Sequence, residues 1–451
     1  MILLASNQII EQEELIMERE LSFSEKAFFY IWILFYIYEM LMDQLIGRGS
    51  AITVIFNFII ITYVIYYSFI KNEYRFSFLY LFLYAFFFLM LIILSSTNLP
   101  SSIKIYVKYF EGVLCFPLAF SLFRNEEIVN KLWWLFKAFL ILFLLNYILA
   151  NTLHWGNRYG GDVGAETGNM LENGLYLNVC AASIAPIFIQ KEKYRFFVIG
   201  LLCVNLVISI VILKRAVIAA MILSFLVYFV YNLYFKARYG SISNNNTRKL
   251  FFYFYTISFV LLLIYSFKGV LESQIQTRSN RFVKGAMEKE GRVRELKSIY
   301  NDIVNSDDDM TFFFGRETFN IVGTYGAELH FGKRNIHDDF GIILNGSGVV
   351  GFFLYVFINA MIIFRFIRYS KGVNLSTNKT ARNMYVAFIS FWAIFLTAST
   401  SDTILQSLYP AMHYTVSGMI LRYFYVYGET YESLCLEDIE YTENDKTTIK
   451  T

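Results

Sequence analysis

The sequence is poor in charge, proline, cysteine and histidine, and each shortage excludes a class of protein. Only 17% of its 451 residues are charged, against about 25% in soluble domains. The net charge of +3 is too small, and too evenly spread, for a nucleic-acid binder. The four cysteines form neither a CxxC pair nor a disulfide framework. With only four prolines, long uninterrupted helices are possible.

Apolar residues are abundant instead, at 57% of the chain, with 19% aromatic. They form runs of about 20 residues, long enough to cross a bilayer and about twice the length of a barrel strand. The sequence therefore predicts an all-α polytopic membrane protein with about 12 transmembrane helices. The predicted spans are 27–46, 51–70, 76–96, 103–123, 132–153, 171–190, 196–213, 216–235, 250–267, 339–364, 383–400 and 404–427.

Lysine and arginine are retained on the cytoplasmic side of a membrane, so their distribution orients the spans. The loops with most of these residues fall on one side if both termini are cytoplasmic. The predicted organisation is a cytoplasmic segment 1–26, helices 1–9 within 27–267, a large extracytoplasmic loop 268–338, helices 10–12 within 339–427, and an acidic cytoplasmic tail 428–451.

The large extracytoplasmic loop between helices 9 and 10 is polar, and loops of this length are uncommon unless functional or disordered. Its segment 280–304 has Leu296, Ile299, Ile303 and Val304 at helical spacing, which predicts an amphipathic helix. The three aspartates 307–309 predict a turn.

No familiar catalytic spacing is present: the chain lacks the P-loop, the HExxH, the GxSxG and the dinucleotide glycine motifs. Titratable groups gather instead in the predicted outer loops, which hold His154, His330 and His337. His413 lies in the last span and is interpreted as a satisfied interior histidine. Lys108 and Glu111, spaced i,i+3, are expected to pair on one helix face.

Three outer clusters are candidates for binding and chemistry. The first is the glycine-rich loop 154–170 around Arg158, which is either a flexible surface loop or a backbone that approaches a ligand. The second is Lys214 with Arg215, which is either a pair snorkelling to headgroups or an anion site.

The third cluster lies just before span 10, within 315–351, and gathers cations beside a histidine and two aspartates. His337 is the one histidine adjacent to carboxylates, so it is a candidate general base. A His-Asp-Asp metal site is disfavoured because three consecutive residues rarely converge on one ion. The members of the cluster are Arg316, Lys333, Arg334, His337, Asp338 and Asp339.

In chain order these clusters resemble the O-antigen polymerase and ligase superfamily of bacterial surface-polysaccharide assembly. The resemblance is carried by RYGG from Arg158, KRAVIAA from Lys214, and FFGRETF followed by NIHDDFGIILNGSGVVGFFLYV. It covers roughly residues 150–365 and the overall topology. Relatives often have His followed by Asn, whereas this chain has Asp338 after His337.

The resemblance implies a GT-C-like glycosyltransferase in the bacterial inner membrane, with its active site facing the periplasm or cell exterior. Such enzymes transfer a glycan from undecaprenyl diphosphate to a sugar hydroxyl without metal or cofactor. His337 would then be the base, positioned by Asp338 or Asp339. The expected diphosphate-binding residues are Arg158, Lys214, Arg215, Arg316 and Arg334.

The expected partners are the lipid-linked glycan, membrane lipid and, as a family expectation for polymerases, a chain-length regulator; no nucleic acid is expected. Polymerase and ligase differ in the acceptor, and the polymerase is favoured because the His-Asn signature is absent. A flippase or other transporter is the rival from another class. No internal repeat is evident, and the charge lies in outer loops rather than near the midplane.

Overall fold

The computed structural model describes residues 23–45, 51–67, 78–123, 126–152, 172–189, 192–212, 215–239, 291–319, 336–376, 378–401 and 403–427. Within these ranges the chain is helical and has no strand. The helices are α1 (Phe23–Leu45), α2 (Ala51–Tyr66), α3 (Leu79–Ser95), α4 (Leu99–Leu122), α5 (Glu126–Thr152), α6 (Glu172–Phe188), α7 (Arg195–Val211), α8 (Arg215–Tyr239), α9 (Gly291–Val304), α10 (Asp309–Phe314), α11 (Asp339–Ser370), α12 (Lys379–Ala398) and α13 (408–427).

Five helices of the described ranges are long and apolar enough to cross a membrane. The protein is therefore an all-α membrane protein, as the apolar runs predict. Each predicted span contains a helix except 250–267, which lies outside the described residues. Span 12 differs in its start, because α13 begins at 408 after two short 3-10 turns, Ser399–Ser401 and Thr403–Leu405.

Helix α4 lies in the interior of the bundle, and most of its side chains beyond Lys108 are buried. The side chain of Asn98 caps its N-terminus, accepting from the backbone N–H of Ser101 at 3.3 Å. It packs closely on α13, because a Cβ built on Gly418 would lie 2.5 Å from the carbonyl oxygen of Phe116. Helices α2 and α3 pack on α4, and α11 contacts α13.

Helix α11 is broken at Gly348, whose φ of 61° and ψ of −163° interrupt the helical backbone. The first part, 339–347, is almost entirely buried. The second part continues to Ser370 and is long enough to span a membrane. A glycine is required at the break because this φ lies in the region that L side chains rarely adopt.

Two short helices of the predicted large loop pack on α11. Helix α9 buries Ile299 and Ile303, as its spacing predicts, but it also buries Glu295 and leaves Leu296 42% exposed. The predicted apolar face is therefore wrong at Leu296. The predicted turn at 307–309 leads directly into α10: Asp307 lies in a bend, and Asp308 caps the helix by accepting from the backbone N–H of Thr311 at 3.1 Å.

Candidate functional site

Residues 315–319, here called the strap, lie directly against the break in α11. The backbone N–H of Arg316 donates to the carbonyl oxygen of Asn345 at 2.9 Å, and the Thr318 hydroxyl donates to that of Gly346 at 2.7 Å. A Cβ on Gly315, whose φ is 76°, would lie 2.6 Å from the backbone nitrogen of Gly348. The strap thus satisfies carbonyl groups beside the break, and glycines on both sides permit the close approach.

The strap is also anchored to α3 and α4. The Thr97 hydroxyl donates to Glu317 Oε1 at 2.6 Å. Phe319 is 1% exposed and stacks on Phe88, with ring centroids 5.4 Å apart. It also adopts a φ of 58°, which is strained for a side chain of this size and is held by the surrounding aromatic rings. This segment of the predicted outer loop is therefore built into the helix bundle.

The two aspartates that follow His337 have different surroundings. Asp338 caps α11, where its Oδ1 accepts from the backbone N–H of Gly341 at 2.6 Å. Asp339 is fully buried and accepts from the backbone N–H of Ile404 at 2.9 Å and from the Thr403 hydroxyl. Asp338 thus fixes the start of α11, while Asp339 ties that start to the 3-10 turn before α13.

His337 is half-buried and directly precedes this fixed helix start. Arg316 lies at the same end of the bundle, because its backbone is bonded to Asn345, about 9 Å along α11 from Asp339. The Arg316 guanidinium is 3.7 Å from the carboxylate of Asp302 on α9 and is partly exposed. We call this region the His337 end of the bundle.

The other predicted diphosphate ligands cannot be compared in this way. Arg158, Lys214 and Arg334 lie outside the described residues. Arg215 is the first residue of α8, but its side chain lies outside the described part as well. Their role as diphosphate ligands stays a prediction.

A buried polar segment, residues 399–401 and 403–407, connects α12 to α13 at the His337 end; we call it the buried turn. Lys108 Nζ on α4 donates to the carbonyl oxygen of Leu405 at 3.3 Å. Asn57 Nδ2 on α2 donates to the Ser407 hydroxyl at 3.3 Å. The buried turn is therefore held by side chains from α2, α4 and α11, and it was not foreseen as a site.

Lys108 and Glu111 face each other on α4 as opposite charges, as expected, but they form no hydrogen bond with each other and no close ion pair. Lys108 bonds the Leu405 carbonyl instead, and the fully buried Glu111 carboxylate has no hydrogen-bond partner among the described residues. The i,i+3 rule describes isolated helix surfaces, whereas here a backbone acceptor 297 residues away along the chain is better placed.

Further polar side chains at this end are buried without partners. The amide groups of Asn345 and Gln406 make no hydrogen bond within the described ranges, although the two residues are 1% and 9% exposed. Buried polar groups are normally satisfied by protein, water or a ligand. The His337 end therefore has hydrogen-bonding groups that no described residue satisfies.

His413 is an interior residue, as expected, but it is not satisfied. Its ring is fully buried and stacks on Phe395 with centroids 4.3 Å apart, and it meets Trp392 edge to face at 4.8 Å. Neither ring nitrogen has a hydrogen-bond partner in the part of the chain that is described. The aromatic surroundings hold the ring by packing.

No metal centre is present among the residues whose positions are described, because nowhere do three His, Cys, Asp or Glu side chains converge.

The sequence matches no model of a protein family, and no curated protein matches it significantly.

Proposed function

We propose that this protein is a membrane-embedded glycosyltransferase that polymerises lipid-linked oligosaccharide repeat units. The donor is a glycan on undecaprenyl diphosphate, and the acceptor is a sugar hydroxyl of a second lipid-linked unit. The proposal includes about 12 spans, cytoplasmic termini and a His337 end that faces the outside of a bacterial inner membrane.

One observation carries the proposal: the strap joins a cation of the large loop to the helix start that follows His337. Arg316 and His337 come from different parts of the loop, yet the backbone of Arg316 is bonded to Asn345 in the second turn of α11 and His337 directly precedes Asp338, which caps the same helix. A guanidinium and an imidazole at one polar end of an apolar bundle suit transfer from a lipid-linked phosphate.

In the proposed reaction the acceptor hydroxyl oxygen forms a bond to the anomeric carbon of the donor sugar. The bond between that carbon and the diphosphate oxygen breaks, and undecaprenyl diphosphate leaves with the electron pair. His337 takes the hydroxyl proton as general base. Arg316, together with the predicted cations Arg158, Lys214, Arg215 and Arg334, stabilises the charge that develops on the phosphate oxygens.

The structure favours separate roles for the two aspartates in this scheme. Asp338 fixes the backbone immediately after His337 through the helix cap, so it acts as a positioning residue. Asp339 is engaged with Thr403 and Ile404 and holds the buried turn beside the same site.

A transporter is the second candidate, and the break at Gly348 favours it. Discontinuous helices with polar backbone in the bundle are typical of substrate sites in secondary transporters. In α11, however, the strap takes up carbonyl groups beside the break, which gives the interruption a structural purpose.

The test is complementation of a strain that lacks this gene, followed by gel analysis of its surface glycan. Wild type is expected to restore a ladder, and His337→Ala or His337→Gln to reduce it to single repeat units, with a rate loss of about 10²–10⁴-fold. Arg316→Ala should shorten the ladder as well, because it removes a cation assigned to the diphosphate. Lys297→Ala, which removes an exposed cation from α9, is the matched control and should keep the ladder.

Other outcomes would contradict the proposal. Polymer that remains on undecaprenyl diphosphate, with no surface glycan, would identify a ligase defect. Repeat units that accumulate inside cells lacking the protein would identify a transporter. A normal ladder in both His337 variants would remove that residue from the reaction.

A further inference from the structure

Two lysines on α4 lie one helical turn apart at the His337 end. Lys104 and Lys108 are spaced i,i+4, so their side chains lie on one face, and both are half-buried. Helix α4 is apolar and long enough to span a membrane, so cations in it require an explanation. Neither lysine is among the cations that the sequence analysis assigned to a ligand.

The half-buried Lys108 donates from Nζ to the Leu405 carbonyl in the buried turn at 3.3 Å. An ammonium group has three donors, and this neutral acceptor uses one. Lys108 has no carboxylate oxygen within 4.0 Å in the described ranges, although its charge acts on the buried carboxylate of Glu111 on the same face of α4.

A buried amide lies beside the carbonyl group that Lys108 binds. Gln406 directly follows Leu405 and is 9% exposed, and its carboxamide makes no hydrogen bond with the described residues. Ile404, on the other side of Leu405, donates its backbone N–H to Asp339. A ligand at Lys108 would therefore lie beside the helix start that follows His337.

We infer that Lys108, with Lys104 one turn away, forms a phosphate-binding site for the diphosphate of a lipid-linked substrate. The inference rests on the proposed function for the identity of the lipid. Phosphate oxygens supply several acceptors at once, which matches an ammonium group with three donors, one of which goes to the Leu405 carbonyl. The location at one end of an apolar bundle favours a lipid phosphate over a free one, because the polyprenyl chain can remain in the membrane.

The experiment measures binding to the purified full-length protein in detergent, with thermal stabilisation as the readout. The probes are undecaprenyl diphosphate, undecaprenol, inorganic diphosphate and phosphatidylglycerol. Wild type should bind undecaprenyl diphosphate more tightly than each of the other three. Lys108→Ala should weaken this binding at least about tenfold, and Lys108→Arg should retain most of it.

Lys104→Ala is the second variant, because it leaves the bond between Lys108 and Leu405 intact and should weaken binding by a smaller factor. Lys297→Ala is the control and should bind as wild type does. Wild-type affinity in both the Lys108→Ala and Lys104→Ala variants would overturn the site. Equal affinity for undecaprenol or phosphatidylglycerol would overturn the diphosphate as its ligand, and equal affinity for inorganic diphosphate would overturn the lipid source.

The readout separates this site from the proposed reaction. Binding that depends on Lys108, in a protein that does not extend repeat units, would leave the site standing and remove the polymerase. If the protein extends repeat units but its lipid binding does not depend on Lys108, the polymerase would stand and the Lys108 site would be removed.

Discussion

The polar side chains at the two ends of the helix bundle differ in the partners that they have. At the end opposite His337, Lys137 forms an ion pair with Glu192 at 2.8 Å, and Trp133 Nε1 donates to the same carboxylate at 2.9 Å. Arg365 lies over the rings of Phe78 and Tyr80, at 5.3 and 5.2 Å from their centroids. These cations are matched by partners from other segments of the same chain, so this end is a structural one.

The His337 end contains the opposite pattern. Asn345 and Gln406 are buried without hydrogen-bond partners among the described residues, and Lys108 has one neutral acceptor. The buried carboxylate of Glu111, midway along α4, makes no hydrogen bond with the described residues either. Burial of polar groups without partners costs stability, and such groups persist where function needs them. The two ends therefore differ in how far their buried amide groups are matched by described residues, although the Tyr80 hydroxyl at the opposite end also makes no hydrogen bond with them.

The largest expected effect on stability comes from Gly348→Ala, which disrupts the contact between the strap and the break in α11. The new Cβ would lie 2.5 Å from the backbone carbon of Phe313, at a φ that alanine rarely adopts. We expect a loss of roughly 3 kcal/mol or more, the sum of backbone strain and overpacking, measured by thermal unfolding in detergent.

Gly200→Ala on α7 is the matched control, because a Cβ there would have no heavy atom within 4 Å. It should be neutral or stabilise by about 0.5–1 kcal/mol, since alanine favours the helix. Similar unfolding temperatures for the two variants would show that the strap does not require the break.

The next effect tests the opposite end. Lys137→Met removes the ammonium group that pairs with the mostly buried carboxylate of Glu192. The free energy of unfolding should fall by about 1–3 kcal/mol. Adding Glu192→Gln to the same chain should recover part of the loss, because the remaining charge is then removed. A double variant as unstable as the sum of both single ones would contradict the pairing.

A smaller effect is expected at Asp308, which caps α10. Hydrogen bonds from the Thr311 hydroxyl and backbone hold the pKa of Asp308 below its usual range. Because the folded-state pKa is depressed, the cap contributes stability above the unfolded pKa near 4 and loses it as pH falls below that value. Asp308→Ala should lower the unfolding temperature slightly at pH 7 and have no effect near pH 2, measured by thermal scans at both values.

The smallest effect should be that of Glu111→Gln. Since this carboxylate makes no hydrogen bond with the described residues, its neutral isostere should leave stability unchanged or raise it by up to about 1 kcal/mol. Chemical denaturation beside the Lys137→Met variant would compare a carboxylate without a hydrogen bond with a paired one. A loss as large as that of Lys137→Met would show that Glu111 is part of a satisfied structural pair.

Helix positions could be predicted from the sequence because long apolar runs leave few alternatives in a membrane protein. The break at Gly348 could not, since glycine in a span also reads as a small residue for close packing. Only the position of the strap shows why φ is positive there. The different roles of Asp338 and Asp339 could not be predicted either, because the partners of Asp339, Thr403 and Ile404, are distant in the chain.

Candidate site residues could be predicted where residues close in sequence define them. They could not be predicted where the contact comes from a distant part of the chain. His337 and Arg316 were identified from local charge, and the structure places both at one end of the bundle. The acceptor of Lys108 comes from the buried turn, so local spacing did not predict it.

The most direct test of the central claim is extension of purified undecaprenyl diphosphate-linked repeat units by the full-length protein in lipid nanodiscs, with product length read on a gel. The account predicts a ladder of longer lipid-linked chains for wild type and for Lys297→Ala, and single repeat units for His337→Ala. Repeat units that stay single with folded wild-type protein, or a ladder that His337→Ala leaves intact, would contradict it.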